Sequence, residues 1–376
     1  MSATRAIDLE DAEGLLAADR DGLLRAASSA GAQVRAVAAA VEEGALDPLR
    51  VDHPPRSVIW VAGRGTAETA GAILAATLGG QVSAPIAVLG EAPPWVGPLD
   101  VLIVAGDDPG DPALVTSAAT GVRRGARVVV AAPYEGPLRD STAGRVAVLA
   151  PRLRVPDEFG LCRYLAAGLA ALHTVDPGTG IDLGRLADEL DAEALRNSAG
   201  RDLFTNPAKT IAARISGHRV ALAGDGAATI AVARHGSSLL LRIAREVVAA
   251  AGLADAVVAL RAPDGPGPDG LSDARSSVDT LFHDEQIDGP LPERLRVLAL
   301  TLAAERTVVA VRVAGAGDVH LVCAEDVPEA PGDPAAPGGA AGGEAMPAGA
   351  GSAWQQLTVL AVRLEMAAVY LRLVRG

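Results

Sequence analysis

Several residue types are scarce in this chain of 376 residues, and each scarcity excludes a class of protein. Only three tryptophans, three tyrosines and three phenylalanines occur, so alanine, valine and leucine must form the core. The two cysteines, Cys162 and Cys323, are too few for a disulfide framework and are not spaced as a CxxC metal motif. This cysteine content predicts a reduced, cytoplasmic setting and no bound metal.

Basic residues are also in the minority. The chain has 33 Lys and Arg against 46 Asp and Glu, a net charge of −13, whereas nucleic-acid binding requires a basic surface. The most apolar tail segment, 357–374, carries Arg363, Glu365 and Arg372, which argues against a membrane span. The acidic N-terminal segment does not resemble a signal peptide. The sequence therefore predicts a protein with neither a nucleic-acid partner nor a membrane partner.

Two common nucleotide-binding motifs are missing as well. A dinucleotide fingerprint, G-x-G-x-x-G, fails at both candidate glycine turns, because Glu68 and Thr229 stand where the third glycine would be. No G-x-x-x-x-G-K-[ST] sequence occurs. These absences disfavour a nicotinamide dehydrogenase and a P-loop protein, and we expect no cofactor.

What the chain does contain is short apolar segments that alternate with helical patterns, which is typical of a doubly wound parallel sheet. After a helical N-terminal segment, the first half predicts strands at 57–63, 85–90, 100–106, 126–133 and 146–150. Its helices are predicted at 66–79, 112–122 and 157–173. The predicted fold class is α/β, with two such domains in tandem over 1–195 and 196–376 and a C-terminal helix.

The second half is predicted to repeat the alternation after a bridging helix at 183–196. We expect strands at 218–224, 256–260, 307–315 and 318–325, with helices at 227–250, 291–304 and 353–374. Residues 328–352 are rich in proline and glycine, which predicts a disordered surface insertion.

An internal repeat supports the tandem arrangement. VAGRGTAETA (61–70) and LAGDGAATIA (222–231) share A-G-x-G-x-A-x-x-A, each at a predicted strand-to-helix junction. Chance matching in a chain rich in alanine and glycine is the alternative. Gly63 and Gly65 in the first copy, and Gly224 and Gly226 in the second, allow backbone N–H groups to approach an anion. The alternative role for these glycines is close packing of strand against helix.

Several segments, taken in order, resemble the bifunctional phosphoglucose/phosphomannose isomerases, a family with tandem sugar isomerase (SIS) domains. TNPAK (205–209) is followed by GDG and by Arg234 on the next predicted helix, as in the family's second domain. The other similar segments are GRGTAETAG (63–71), APPWVGPLDVLIVAG (92–106), RRGARVVVAAPYEGPL (123–138), FHDE (282–285) and VYLRL (369–373).

The resemblance implies two SIS domains, a homodimer and a site for a small sugar phosphate. The implied reaction is aldose–ketose isomerisation of glucose 6-phosphate or mannose 6-phosphate to fructose 6-phosphate. The residues that would bind substrate are Gly63, Gly65, Thr66, Gly224, Gly226 and Arg234. His283 matches the histidine that acts in opening the sugar ring.

The chain departs from the family where the chemistry should lie. The family's hydroxyl-rich phosphate loop corresponds to AGDDPGDPA (105–113), which carries Asp107, Asp108 and Asp111. Such aspartates repel a phosphate, although they are also good turn and helix-cap residues.

The family's carboxylate base corresponds to Leu241. Glu246, five residues later, is the only acid on that predicted helix and the substitute candidate for the base, but its place on another part of the helix face favours the alternative of a solvated surface charge. The family's tail lysine has no counterpart, because Lys209 in the NPAK segment is the only lysine and is expected to be structural. Two interpretations follow. One is an isomerase whose turnover is weak or lost, and the other is a non-catalytic phosphosugar sensor or partner subunit in carbohydrate metabolism.

Overall fold

A computed structural model of the protein describes residues 7–51, 53–261, 294–325 and 351–376. Over these ranges the chain forms one five-stranded and one four-stranded sheet, and every strand pair is parallel. The predicted α/β class with two parallel-sheet domains is confirmed. The predicted boundary between residues 195 and 196 stays a prediction, and the predicted insertion lies outside the described residues except for its last two.

The first sheet has the strand order β2-β1-β3-β4-β5. Its half of the chain contains α1 (Ala12–Ala18), α2 (Leu23–Ala27), α3 (Ala30–Glu42), β1 (Ser57–Val61), α4 (Gly65–Leu78), β2 (Ile86–Leu89), β3 (Asp100–Ala105), α5 (Pro112–Arg123), β4 (Arg127–Ala131), α6 (Gly136–Thr142), β5 (Ala147–Val148), α7 (Leu161–Val175) and α8 (Leu183–Arg196).

Both faces of this sheet are covered, and β1 shows why. All five of its residues are buried. Val58 and Trp60 belong to one apolar cluster, while Ile59 and Val61 belong to another on the opposite face. A strand that alternates between two buried faces must lie inside a helix–sheet–helix sandwich, which is the doubly wound arrangement.

The second sheet has the order β7-β6-β8-β9, the same order without a fifth strand. Its half contains α9 (Pro207–Ile215), β6 (Arg219–Gly224), α10 (Ala227–Leu239), β7 (Ala249–Gly252), α11 (Leu253–Arg261), β8 (Leu295–Thr301), α12 (Arg306–Arg312), β9 (Val319–Cys323) and α13 (Ala353–Arg375). The two repeat copies lie at equivalent junctions, β1 to α4 and β6 to α10, in sheets of equivalent order. Common topology therefore favours duplication over chance matching.

Three predicted elements of the second half have the wrong type. Residues 256–260, predicted as a strand, lie within helix α11. Residues 307–315, also predicted as a strand, overlap helix α12. Residues 291–304, predicted as a helix, contain strand β8. The predicted helix at 227–250 ends at Leu239, continues as a π-helical turn to Ala244 and gives way to β7. Because the predicted helix was too long, it included the start of β7, and these three later elements were assigned the type of their neighbours in the alternation.

The C-terminal helix α13 joins the two halves. It is buried along most of its length and packs against α8, α9, α10 and α2. A helix that is apolar on nearly every side belongs in a protein interior. One apolar cluster accordingly contains Trp60 of the first sheet and Tyr370 of α13.

The NPAK segment is structural, as predicted for Lys209. Asn206 caps α9 by accepting a hydrogen bond from the Lys209 N–H at 2.9 Å, and Pro207 occupies the first helical position. The buried Lys209 Nζ donates to the carbonyl oxygens of Ala199 and Arg201, both at 2.8 Å. These bonds fix the connection from α8 to α9.

Candidate functional site

The strand order predicts where each domain can bind a ligand. In an open parallel sheet the ligand lies beyond the carboxyl ends of the strands, where the strand order reverses. In the first sheet that point lies between β1 and β3, and in the second it lies between β6 and β8. The two glycine turns follow β1 and β6, the strands on one side of these reversal points.

The first glycine turn is open. Gly65 has a φ of +67°, a left-handed conformation that favours glycine, and it begins α4. A side chain added at Gly63 or Gly65 would meet no atom within 4 Å. The buried Thr66 donates its hydroxyl to the backbone carbonyl of Asp157 at 3.2 Å. The turn therefore leaves room beside the amino end of a helix of 14 residues.

The second glycine turn is closed. A Cβ at Gly224 would lie 2.5 Å from the backbone nitrogen of Ile230, so this glycine allows the strand to pack closely against α10. The Thr229 hydroxyl fills the turn, accepting from the Gly226 N–H at 3.1 Å and lying 3.0 Å from the Gly226 carbonyl oxygen. Asp225 pairs with Arg312. Packing explains these glycines without a ligand.

A pocket of about 170 Å³ lies between α4 of the first half and α10 of the second. It brings together three of the predicted site residues, Gly65, Thr66 and Arg234, but Gly63, Gly224 and Gly226 do not line it. The remaining lining residues are Glu68, Thr69, Glu158, His235, Ser238, Leu239 and Arg242.

The charges around this pocket are partly paired. Arg242 donates to Glu158 at 2.8 Å. Arg234 is exposed and has no ion-pair partner among the residues that the structure describes. Thr69 and Ser238 add hydroxyl groups, and Glu68 adds a carboxylate in the first turn of α4. The pocket thus offers a helix amino end and a free guanidinium to an anion.

His235 is a functional candidate that the sequence reasoning missed. Its imidazole lines the pocket, and its Nε2 lies 3.1 Å from Oε1 of Glu365 on α13. His235 is 5% exposed and Glu365 is 1% exposed. Burial raises the pKa of Glu365, and the bond to His235 opposes that change. The signal in the sequence was the single carboxylate of the apolar tail segment.

The three aspartates after β3 have mostly local roles. The carboxylate of Asp111 caps α5 by accepting from the Ala113 N–H at 2.8 Å, and that of Asp108 accepts from the Gly110 N–H at 2.8 Å. Nη2 of Arg64 lies 3.8 Å from Asp108 and 3.7 Å from Asp111, so a guanidinium from the first glycine turn balances their charge. The turn-and-cap explanation of these two residues therefore holds.

The third aspartate, Asp107, meets a second carboxyl group. Burial, followed by a hydrogen bond and repulsion from Asp107, raises the pKa of Asp157 to about 6. Two adjacent carboxyl groups share a proton more readily than they both ionise. Burial also raises the pKa of the neighbouring Tyr164 to about 12. The carboxyl groups at this end of the first sheet therefore disfavour an anion.

The proposed acid–base residues do not assemble at the pocket. Glu246 follows the π-helical turn, pairs with Arg375 and does not line the pocket, so its predicted place on the helix of Arg234 is wrong. Leu241, at the position of the family's base, has an exposed side chain. His283 lies outside the described residues. No metal-binding cluster of His, Cys, Asp or Glu occurs within 7–51, 53–261, 294–325 and 351–376.

The described helices include none that is both long enough and apolar enough to cross a membrane. Comparison with protein families finds no matching family model, and no curated protein matches the sequence.

Solved structures do match in fold. A candidate phosphosugar isomerase from Silicibacter pomeroyi aligns with a TM-score of 0.57 and 17% identity, over 92% of this chain and 95% of its own. The tagatose-6-phosphate ketose/aldose isomerase of Escherichia coli aligns with a TM-score of 0.55 and 13% identity, over 100% and 95%. A glucose-6-phosphate isomerase-like protein from Thermus thermophilus aligns with a TM-score of 0.50 and 17% identity, over 98% and 96%. At these identities the likeness shows the fold alone: this chain has the fold of the solved phosphosugar isomerase structures, with two parallel-sheet α/β domains.

Proposed function

We propose that this protein binds a small sugar phosphate in the pocket between α4 and α10. The observation that carries the proposal is the convergence of an open helix amino end from one half with the free Arg234 guanidinium from the other. A helix amino end carries about half a positive charge and presents free N–H groups, and arginine is well suited to phosphate. The names of the structures with the same fold support a phosphosugar as the ligand class.

The size and charge of the pocket indicate how such a ligand would lie. Its volume of about 170 Å³ is below the range of roughly 300–1,000 Å³ of typical ligand pockets, so part of the ligand would extend into solvent. The phosphate belongs beside Gly65, Thr66 and Arg234. Glu68 is suited to accept a hydrogen bond from a sugar hydroxyl, because its carboxylate would repel the phosphate.

Isomerisation of glucose 6-phosphate or mannose 6-phosphate to fructose 6-phosphate is the reaction that the resemblance implies. The aliphatic Leu241 and the paired Glu246 favour weak turnover by the family's route, since neither supplies a base to the pocket. The same two positions favour the second candidate function, a phosphosugar sensor or partner subunit without catalysis. A homodimer in the cytoplasm completes the proposal, and it requires no cofactor.

Isothermal titration calorimetry tests the binding. The titrants are fructose 6-phosphate, glucose 6-phosphate, mannose 6-phosphate and, as the control ligand, fructose. We expect saturable binding of at least one phosphorylated sugar and none of fructose. Arg234→Gln should weaken that binding about 10- to 150-fold, because a hydrogen bond to a charged group contributes about 1.5–3 kcal/mol.

The matched control is Arg123→Gln, which removes an exposed arginine on α5 that bonds only Thr120 among the described residues. It should leave the affinity unchanged. Equal weakening by both substitutions would mean that net charge, and not this pocket, attracts the ligand. The absence of binding by any of the three sugar phosphates to folded protein would contradict the proposal.

A further inference from the structure

The buried pair of His235 and Glu365 has no role in binding as proposed above, yet one member of the pair faces the pocket. Taking ionisable groups out of water is costly unless they are fully hydrogen-bonded. Strongly desolvated ionisable groups that line a cleft are therefore candidates for chemistry.

A second buried pair, between Arg363 of α13 and Glu193 of α8, shows what a structural pair looks like in this protein. The Arg363 guanidinium donates to both carboxylate oxygens of Glu193, at 2.5 and 3.3 Å, and also to the carbonyl oxygens of Cys323 and Ala324. Asn197 Nδ2 donates to the same carboxylate at 2.6 Å. By contrast, His235 is the only hydrogen-bond partner of the Glu365 side chain among the described residues.

The hydrogen bonding of the imidazole also leaves one of its ring nitrogens available to a ligand. When Glu365 is ionised its carboxylate accepts from Nε2–H of His235, and this tautomer leaves the lone pair on Nδ1. Nδ1 makes no hydrogen bond to any residue in the described part of the chain. Thr66, Arg234 and Ser238 line the same pocket as His235, so a ligand held by them would lie beside this residue.

Of the charged and titratable groups around the pair, Glu365 is the carboxylate that bonds the imidazole. From α13 comes Glu365, and from α7 comes the buried Cys162, whose thiol pKa is raised by burial and by Glu365. The remaining charged groups lie around the pocket: Glu68 on α4, Glu158 before α7, and Arg234 and Arg242 on and after α10. Glu365 is thus placed to stabilise a positive charge on the imidazole when it accepts a proton.

We propose that His235, positioned by Glu365, transfers a proton between C1 and C2 of the bound sugar phosphate. This deepens the proposed function and rests on it. In the aldose-to-ketose direction, Nδ1 takes the proton from C2, and the electrons of that C–H bond form the C1=C2 bond of an enediolate. The negative charge of the enediolate lies on O1. The hydroxyl proton moves from O2 to O1, and the imidazolium returns its proton to C1, which gives the ketose and restores the neutral imidazole.

The test separates proton abstraction from net conversion. Protein is incubated with fructose 6-phosphate in D₂O, and loss of the C1 proton signal is followed by NMR, while affinity is measured by calorimetry. Wild-type protein should incorporate deuterium. His235→Gln should slow incorporation by about 100-fold or more, the usual range for a general base, and change the affinity less than about threefold. Glu365→Gln should keep the affinity and shift the pH profile of the exchange, because its side chain can still form the hydrogen bond but carries no charge.

Two further variants complete the design. His173→Gln removes a part-buried histidine on α7 that bonds Thr179 instead of facing this pocket, and it should leave exchange unchanged. Glu68→Gln removes a pocket carboxylate that has no ion-pair partner among the described residues, and it tests Glu68 as the alternative base. If the His235 variants do not fold, the ¹⁵N signal of Nδ1 in the wild-type protein replaces them. It should move when fructose 6-phosphate is added, and a fixed signal with bound ligand would overturn the proposal.

The outcomes distinguish the two proposals. No calorimetric binding would refute the proposed function and this inference with it. Binding without deuterium incorporation would leave the proposed function standing and overturn the role of His235. Incorporation that survives His235→Gln but is lost in Glu68→Gln would also overturn it, and would identify Glu68 as the base.

Discussion

The buried ion pair between Arg363 and Glu193 should dominate the stability of the contact between α13 and α8. Arg363→Met would remove every donor that reaches Glu193 from α13 and would leave the Cys323 carbonyl without its 2.7 Å hydrogen bond. Removing one member of a buried pair generally costs about 3–5 kcal/mol. The Glu193 carboxylate would keep Asn197 at 2.6 Å and Arg196 at 3.3 Å. We therefore expect a loss at the lower end, about 3 kcal/mol.

Urea unfolding followed by circular dichroism measures this loss as a lower transition midpoint with an unchanged slope. The matched control is Arg372→Met on the same helix, which removes an exposed pair with Asp21 and should cost about 1 kcal/mol or less. The double variant Arg363→Met with Glu193→Leu should be more stable than Arg363→Met alone, because it removes the unpaired carboxylate. Equal losses for Arg363→Met and Arg372→Met, or strictly additive losses in the double variant, would refute this reasoning.

Two further predictions concern the end of the first sheet. The folded protein keeps a proton on Asp157 up to about pH 6, whereas the unfolded chain releases it near pH 4, so this group lowers the free energy of unfolding as the pH rises through that window. Asp157→Asn should flatten that decline in urea titrations at pH 4, 5, 6 and 7, and an unchanged slope would contradict the assignment. Asp111→Ala should cost about 0.5–2 kcal/mol in thermal unfolding, because it removes the α5 cap, and more than Asp108→Ala, which removes only a turn contact. Equal effects would argue against the capping role.

The first half was predictable because its signals agree. In β1 and β3 every residue is buried and most are β-branched or aliphatic, while the helices that follow these strands begin at glycine and at proline. The second half contains the opposite combination. The paired valines of α11 (LADAVVALR) and the valines of α12 (RTVVAVR) favour strands, and the three leucines of β8 (LRVLALT) favour a helix. Packing against the sheet overrode these local preferences.

The candidate site was predictable only in part, for a different reason. Gly65, Thr66 and Arg234 lie in segments whose order resembles a known family, so resemblance found them. The bond between His235 and Glu365 joins residues 130 positions apart, and neither stands in a recognisable motif. Such a pair follows from the docking of α13 against α10, which no local pattern encodes.

The position of α13 in the chain has a consequence for synthesis. This helix completes an apolar cluster that also contains Trp60 of β1, but it is made after all the strands that the structure describes. Until it emerges from the ribosome, the faces of α8, α9 and α10 that it will cover remain exposed, and such surfaces promote aggregation. A pause in translation before residue 353 should therefore increase the demand for chaperones, whereas a pause after α13 should not.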